Sequence, residues 1–244
     1  MPNWTTNSVE FKGTKDDIEK VFNAILDDEG NFDFNKLIPM PESLNIESGS
    51  ETDMAIGYYV TKRLTIPYEQ TNLSKLISNH FSNNWAAEIC RRLQEHVKNT
   101  SDPNGLDRLY EMGKQYIFNL ENYGHSTWYG WRYANWGTKW NASETNREDN
   151  SLWFYTANGI PVPIYDTLAE LCKQHKVSFE AKFADEDVLG DAGTYTFDAT
   201  TGKIKSSCCS GCPASFVVQA ELNGEDSLVK DENGVYHYVE DEEE

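Results

Sequence analysis

The chain has 244 residues, of which 39% are hydrophobic and 13% aromatic, so it can bury a sizeable core and general disorder is excluded. Forty acidic against twenty-one basic residues give a net charge of −19. Direct nucleic-acid binding requires clustered Lys and Arg, which this sequence lacks, so we expect no direct nucleic-acid binding. No run of about 18 apolar residues occurs, so we expect no membrane-spanning helix.

The N-terminal residues lack a basic region followed by an apolar stretch, so we expect no secretory signal. Five cysteines, an odd number, in a chain without an export signal are typical of reduced cytosolic thiols. We therefore expect a cytoplasmic protein.

The first hundred residues or so predict a strand, a helix and a change of pattern. Residues 8–13 alternate apolar and polar side chains and predict a short strand. Thr14 is placed to cap a helix that ends near Asp28 and carries a single apolar stripe: Ile18, Val21, Phe22, Ile25 and Leu26. The prolines within residues 32–41 predict an extended segment, and the polar residues 45–56 predict a mobile loop.

Residues from about 57 to 135 have a helical pattern without a strand signal. Apolar residues recur at helical spacing from Leu73 to Val97, the segment 99–105 stops the helix, and Leu106–Leu120 repeat the spacing. This pattern predicts a helical hairpin inserted into a sheet domain.

The second half of the chain alternates strands and helices: a strand over 151–157, a helix over 163–175, two antiparallel strands that turn near 190–193, a helix over 213–222 and a strand around 235–239. Antiparallel strands with helices over one face predict an α+β sandwich.

Four segments carry a family resemblance: MPNW at 1–4, FDFNKLIPMP at 32–41, WYGWR at 128–132 and NWGTKWNA at 135–142. Together they are similar to the YubB-like family of plasmid, phage and gut-bacterial proteins, whose members carry a ferredoxin-like domain of unknown function. The likeness spans residues 1 to about 200.

The resemblance implies a ferredoxin-like antiparallel sheet covered by helices, encoded on or near mobile elements. We accordingly expect one domain over residues 1–200, with the helical insertion at about 57–135, followed by a variable acidic segment over 201–244. "Ferredoxin-like" names a fold here and implies no iron–sulfur cluster. The family brings no established activity, so no catalytic residue and no cofactor is carried over.

The aromatic stretch from Trp128 to Asn141 is the first candidate site, because so many large rings in so few residues make a cohesive nucleus. The favoured interpretation is a packing core. The alternative is a cleft or protein interface in which rings stack on a ligand and cations meet an anion. Its candidate residues are Trp128, Tyr129, Trp131, Arg132, Trp136, Lys139, Trp140 and Asn141.

Asp185, Glu186 and Asp187 form a second candidate, at the end of a predicted strand. Paired carboxylates with Arg132 or Lys139 nearby suit acid–base chemistry or a divalent ion. A solvated strand end is the favoured interpretation, and we expect no metal site.

Cys208, Cys209 and Cys212 contain a C-x-x-C spacing. Zinc would need a fourth ligand from a second pair, which the sequence does not supply. A loop of incidental thiols is favoured over a redox dithiol that opens the helix starting at Pro213.

Two functions from different classes remain open, and so does the question of whether the protein is an enzyme. The first is a non-enzymatic interaction protein that engages a host protein through its acidic surface. From Glu221 to Glu244 there are ten Asp or Glu and one Lys, either as a solubilising tail or as a surface for a basic partner. The second is an enzyme or small-ligand binder, in which Arg132, Lys139 and one of the 185–187 carboxylates converge on one open pocket.

Overall fold

A computed structural model describes residues 2–63, 91, 92, 95, 105–225 and 227–239. Its elements, numbered in chain order, are β1 (Trp4–Lys12), α1 (Lys15–Ile25), α2 (Phe34–Leu37), a 3₁₀ turn (Glu42–Leu44), α3 (Thr52–Arg63), α4 (Gly105–Tyr123), α5 (Trp128–Trp136), β2 (Ser143–Glu148), β3 (Ser151–Ala157), α6 (Val162–Gln174), β4 (Ser178–Asp185), β5 (Asp191–Asp198), β6 (Lys203–Ser210), α7 (Pro213–Asn223), β7 (Leu228–Lys230) and β8 (Tyr236–Tyr238).

The chain divides into two compact units. One contains Met1–Pro39 and Arg132–Glu244, and the other contains Met40–Trp131. The boundary falls within α5. Among the described residues, no helix is both long enough and apolar enough to cross a membrane.

The first unit contains a six-stranded antiparallel sheet in the order β2-β3-β1-β4-β5-β6. Its first four strands, with α1 after β1 and α6 after β3, form the β-α-β-β-α-β arrangement in which β1 lies between β3 and β4. The fold is therefore α+β, with a ferredoxin-like antiparallel sheet extended by β5 and β6. This confirms the expected fold class.

The α1 helix forms as its sequence predicts. The Thr14 side chain accepts a hydrogen bond of 3.2 Å from the backbone amide of Asp17, which satisfies one of the free donors at the helix start. The apolar stripe is buried, and the Phe22 ring packs edge-on against Phe11 of β1 at 5.2 Å. The Tyr165 ring of α6 meets Tyr195 of β5 at 5.4 Å, so α1 and α6 cover the same face of the sheet.

The opposite face of the sheet, here called the outer face, is covered only in part by α7. Val218 of α7 packs against Ala184 and Ala192 of β4 and β5. Asn223 at the end of α7 accepts a hydrogen bond of 2.7 Å from the Thr6 hydroxyl and donates one of 2.8 Å to the carbonyl of Asp185. Between α7 and the β2 edge, this face of β3 carries the partly exposed side chains of Trp153 and Tyr155.

Several elements differ from expectation. β1 begins at Trp4 instead of residue 8. The segment 32–41 contains the short helix α2, whose N-terminal amide at Asn35 donates to the Asp33 carboxylate, instead of being extended throughout. The expected loop at 45–56 contains the start of α3 at Thr52. Much of the predicted first arm of the helical hairpin, from Leu73 to Val97, lies outside the described residues.

The Met40–Trp131 unit has a core of its own around α3 and α4. The buried Tyr116 donates its hydroxyl to the carbonyl of Glu47 at 2.7 Å. The buried Asn119 amide donates to the carbonyls of Ser43 and Ser126 at 2.8 and 2.9 Å. These bonds fix the segments on either side of α4.

The described residues of 201–239 belong to the same compact unit as the sheet. β6 pairs with β5 from Lys203↔Asp198 to Ser210↔Asp191, and α7 follows it onto the outer face. β7 and β8 form a separate two-stranded ribbon, whose Leu228 and Tyr236 cluster with Phe216 of α7. The sheet thus continues past the expected boundary at residue 200.

Candidate functional site

Trp131 and Trp136, from the aromatic stretch, are buried, as a packing core requires. Trp136 is fully buried in the sheet unit, where its indole N–H donates to the carbonyl of Ile38 at 2.9 Å and its ring meets Phe34 at 5.8 Å. Trp131 is 6% exposed. A buried indole whose N–H is satisfied serves packing.

Arg132 and Lys139 lie against neighbouring rings. The Arg132 guanidinium lies 5.0 Å from the centre of the Trp136 ring, and the Lys139 ammonium lies 5.0 Å from the centre of the Trp140 ring. Burial lowers the pKa of Arg132 below its ordinary value. Cation–π contacts of this kind stabilise the local packing.

Asn141 holds α2 in place. Its side-chain oxygen accepts from the backbone amides of Phe34 and Ala142 at 2.8 and 3.0 Å, and its amide donates to the Asp33 carboxylate at 2.7 Å. Because the bonds to Phe34 and Asp33 join chain positions more than one hundred residues apart, Asn141 acts as a structural tie.

Trp128 and Tyr129 begin α5 within the Met40–Trp131 unit. Their rings meet edge-on at 5.6 Å, and Tyr129 is 44% exposed. Trp140 lies in the sheet unit, where its ring is 5.9 Å from that of Trp4.

The three carboxylates at 185–187 have separate surroundings. Asp185 accepts from the Thr5 hydroxyl at 2.5 Å and from the backbone amide of Asp191 at 3.2 Å, and burial raises its pKa above the ordinary value. Asp187 accepts from the backbone amide of Leu189 at 2.9 Å. The described residues contain no group of three or more His, Cys, Asp or Glu placed to hold a metal ion.

Glu186 points elsewhere, into a cleft that sequence reasoning missed. Its backbone amide donates to the carbonyl of Trp4 at 2.8 Å, which extends the pairing of β1 with β4 by one residue. The cleft, here called the aromatic cleft, has a volume of about 520 Å³ and is lined by Trp4, Thr6, Glu144, Tyr155, Glu186, Leu222 and Asn223. Of the candidate site residues, this lining contains Glu186 but neither Arg132 nor Lys139.

A second cleft on the outer face shares Leu222 with the aromatic cleft. It has a volume of about 290 Å³ and is lined by Ser8, Glu10, Trp153, Glu180, Lys182, Glu221 and Leu222. The rings of Trp153 and Tyr155 meet edge-on at 4.3 Å and join the two clefts along β3. The two clefts together are called the outer groove below.

The signal for this groove lay in the β3 sequence, SLWFYTA. Leu152 and Phe154 are buried on the helix-covered face, so Trp153 and Tyr155 must project from the other face. Both are partly exposed. Two large rings side by side on an open sheet face are typical of a binding surface.

Cys209 and Cys212 form a disulfide between the end of β6 and the start of α7, whereas reduced thiols in a loop were expected. Cys212 is the N-cap of α7, and its sulfur accepts from the backbone amide of Ser215 at 3.4 Å. Cys208 is a free, exposed thiol. Burial, reinforced by the charges of Asp191 and Asp185, raises the pKa of Cys208 above its ordinary value.

Comparison with known proteins gives a distant structural likeness. No protein-family model matches the chain. No curated protein matches it. Among solved structures, the chain is similar to the crystal structure of protein api92 from Yersinia pseudotuberculosis, a DUF1281 protein, with 11% sequence identity and a TM-score of 0.36 over 87% of this chain and 100% of that chain.

Proposed function

We propose that this protein is a non-enzymatic interaction protein that binds a basic segment of a partner protein in the outer groove. One observation carries the proposal: the groove is lined by partly exposed aromatic rings together with five glutamates and a single lysine. These glutamates are Glu10, Glu144, Glu180, Glu186 and Glu221.

The two kinds of side chain have different tasks in such a complex. Large apolar surfaces come from Trp4, Trp153 and Tyr155. Tryptophan and tyrosine are among the residue types that most often anchor protein interfaces. The glutamates select a positively charged partner and repel an acidic one. The net charge of −19 adds a long-range attraction that speeds the encounter with a basic partner.

The origin and location of the protein belong to the same proposal. The resemblance to YubB-like proteins supports an origin on a mobile element and therefore a host protein as the partner. The ferredoxin-like strand order agrees with that resemblance. The free thiols of Cys172 and Cys208 support a cytoplasmic location, and the Cys209–Cys212 disulfide does not.

A fluorescent lysine-rich peptide and a glutamate-rich peptide of equal length test the proposal by anisotropy. The lysine-rich peptide should bind at low salt, bind less tightly as salt rises, and bind several-fold more weakly to the double variant Glu10→Gln/Glu180→Gln. The glutamate-rich peptide should not bind.

A charge-matched control separates the groove from general attraction. The double variant Asp28→Asn/Glu29→Gln removes the same charge from an exposed loop outside the groove. It should bind the lysine-rich peptide as the unmodified protein does. Equal weakening in both variants would mean that diffuse charge, and not the groove, attracts the peptide, and the proposal would be wrong.

A further inference from the structure

The wide end of the outer groove has the composition of a receptor for a single organic cation. Trp4 and Tyr155 stand at 55° to each other with ring centres 6.1 Å apart, so they form two adjacent walls. Trp140 packs against Trp4, with ring centres 5.9 Å apart and ring planes at 53°, and this contact helps to hold the Trp4 ring in place. The faces of aromatic rings attract cations because of their negative quadrupole.

Glu144 and Glu186 place two carboxylates at the same cleft. Glu186 is exposed and is fixed beside Trp4 by its backbone hydrogen bond. Glu144 is exposed, and it lies at an irregularity of β2, where the register with β3 shifts between Ser143 and Asn146. A bulge of this kind changes the direction in which a side chain leaves the strand edge.

These carboxylates form no ion pair in the part of the chain that the structure describes. The described lining of the aromatic cleft contains no Lys or Arg, and none of the ion pairs among described residues includes Glu144 or Glu186. By contrast, Glu180 and Glu221 of the second cleft already face Lys12 and Lys182. The negative charge of the aromatic cleft is therefore available to a ligand.

The size of the cleft selects an organic group over a bare metal ion. Its volume of about 520 Å³ is within the range of small-molecule sites and far exceeds the space of one ion. The described residues also supply no cluster of three or more metal ligands.

We propose that the aromatic cleft binds one cationic side chain, an ammonium or a guanidinium, of the partner's basic segment, held against Trp4 and Tyr155 and neutralised by Glu144 and Glu186. This inference rests on the proposed function and names the chemistry of its recognition site. The second cleft, with Trp153, then receives the neighbouring part of the segment.

The decisive experiment compares a small cation with its neutral isostere on the intact chain. Choline carries a trimethylammonium group, and 3,3-dimethylbutanol has the same shape without the charge. The indole N–H signals of the seven tryptophans are followed by NMR during each titration, and the Trp4 signal is assigned by its loss in Trp4→Phe. Choline should shift the Trp4 signal in a saturable manner, and 3,3-dimethylbutanol should not.

Variants locate the site. Tyr155→Leu, and separately Glu144→Gln/Glu186→Gln, should weaken choline binding about tenfold, as the loss of a ring wall or of the charge predicts. Phe118→Leu changes an exposed ring that lines neither cleft of the outer groove and should leave choline binding intact. Butylammonium and butylguanidinium, titrated in the same way, determine whether a lysine or an arginine side chain is preferred.

Two outcomes, each obtained with protein that is folded, would overturn the inference. Equal shifts with choline and 3,3-dimethylbutanol would mean an apolar cleft without cation selectivity, and the absence of any saturable shift would mean no site. If the lysine-rich peptide still binds in the outer groove, the proposed function survives this failure. If choline binds and the peptide does not, the cation site stands and the proposed function fails.

Discussion

The backbone amide of Glu186 donates a hydrogen bond of 2.8 Å to the carbonyl of Trp4. This bond places an indole and a carboxylate from the ends of β1 and β4 at one cleft. The bond is made by the main chain. One substitution at residue 186 can therefore remove the carboxylate and keep the bond, and another can remove both.

Glu186→Ala keeps the amide donor and removes the carboxylate, whereas Glu186→Pro removes the donor as well. We expect Glu186→Ala to change the free energy of unfolding by less than about 0.5 kcal/mol, because the side chain is exposed. Glu186→Pro should cost about 1–3 kcal/mol. Urea unfolding measures both, and equal stability of the two variants would contradict a positioning role for this bond.

Asn141→Ala should lower the free energy of unfolding by about 1–3 kcal/mol, because it removes the acceptor of the Phe34 amide and one of the donors to the Asp33 carboxylate. Asn146→Ala, in which the exposed side chain loses a bond of 3.3 Å to Glu148, is the control and should change stability little. Urea unfolding of both variants checks the prediction. A ligand-binding role for Asn141 would instead leave stability unchanged.

Gly137→Ala tests the turn that ends α5. Gly137 has φ +80°, and a Cβ there would lie 2.6 Å from the carbonyl oxygen of Ile160. Gly30→Ala is the matched control, since Gly30 has φ +86° with no atom within 4 Å of its Cβ position. Strain of the left-handed backbone lowers the stability of both variants by about 1 kcal/mol. The contact between the added Cβ and the Ile160 carbonyl oxygen should lower the melting temperature of Gly137→Ala further than that of Gly30→Ala in thermal unfolding.

Asp185→Asn should change how stability depends on pH. Burial raises the pKa of Asp185 in the folded state above its ordinary value of 3.8, so the folded chain holds this proton more tightly than the unfolded chain. The contribution of Asp185 to stability therefore falls as pH rises from 3.8 through the raised pKa. Asp185→Asn removes this loss and, like the protonated acid, keeps one carbonyl oxygen that can accept from Thr5. Its amide group replaces the oxygen that accepts from the Asp191 backbone amide.

Urea unfolding across the acidic and neutral range measures this effect. The variant and the unmodified protein should have similar stability at low pH, and the variant should be the more stable at neutral pH. A gap of the opposite sign at neutral pH would mean that the Thr5 bond outweighs burial.

The cysteines should differ in reactivity with a thiol reagent, followed by peptide mapping. Cys208 is exposed and should react in the folded protein, whereas burial raises the pKa of Cys172 to about 12 and should protect it until unfolding. Cys209 and Cys212 should react only after reduction. Their reaction without a reductant would restore the expectation of cytosolic thiols.

The elements that sequence predicted are those whose own residues carry the signal. α1, β4 and β5 each bury one face. Their apolar residues therefore recur along the sequence with the period of a helix or of a strand, and that period can be recognised. β2 and β6 were missed because SETNRE and KIKSSCCS are largely exposed and show no such alternation. Pairing with β3 and β5, and not local preference, makes them strands.

The candidate site, too, could be predicted only where the signal lies in a residue's own segment of the sequence. Sequence named Glu186 and Trp140, but Trp4 and Tyr155 join the cleft only through the register that pairs Trp4 with Ala157 and Thr6 with Tyr155. Register depends on contacts between distant segments, so neighbours in the sheet cannot be identified from spacing along the chain. Residues 128–141 attracted attention because they are dense in tryptophan, and Trp131 and Trp136 proved buried.

The aromatic cleft draws on two separable parts of the chain. The ferredoxin-like strands contribute Trp4 and Tyr155, and α7, which follows residue 200, contributes Leu222 and Asn223. The core is buried beneath α1 and α6, on the other side of the sheet. Exchange of α7 during evolution would therefore reshape one wall of the aromatic cleft while the ferredoxin-like strands stay intact.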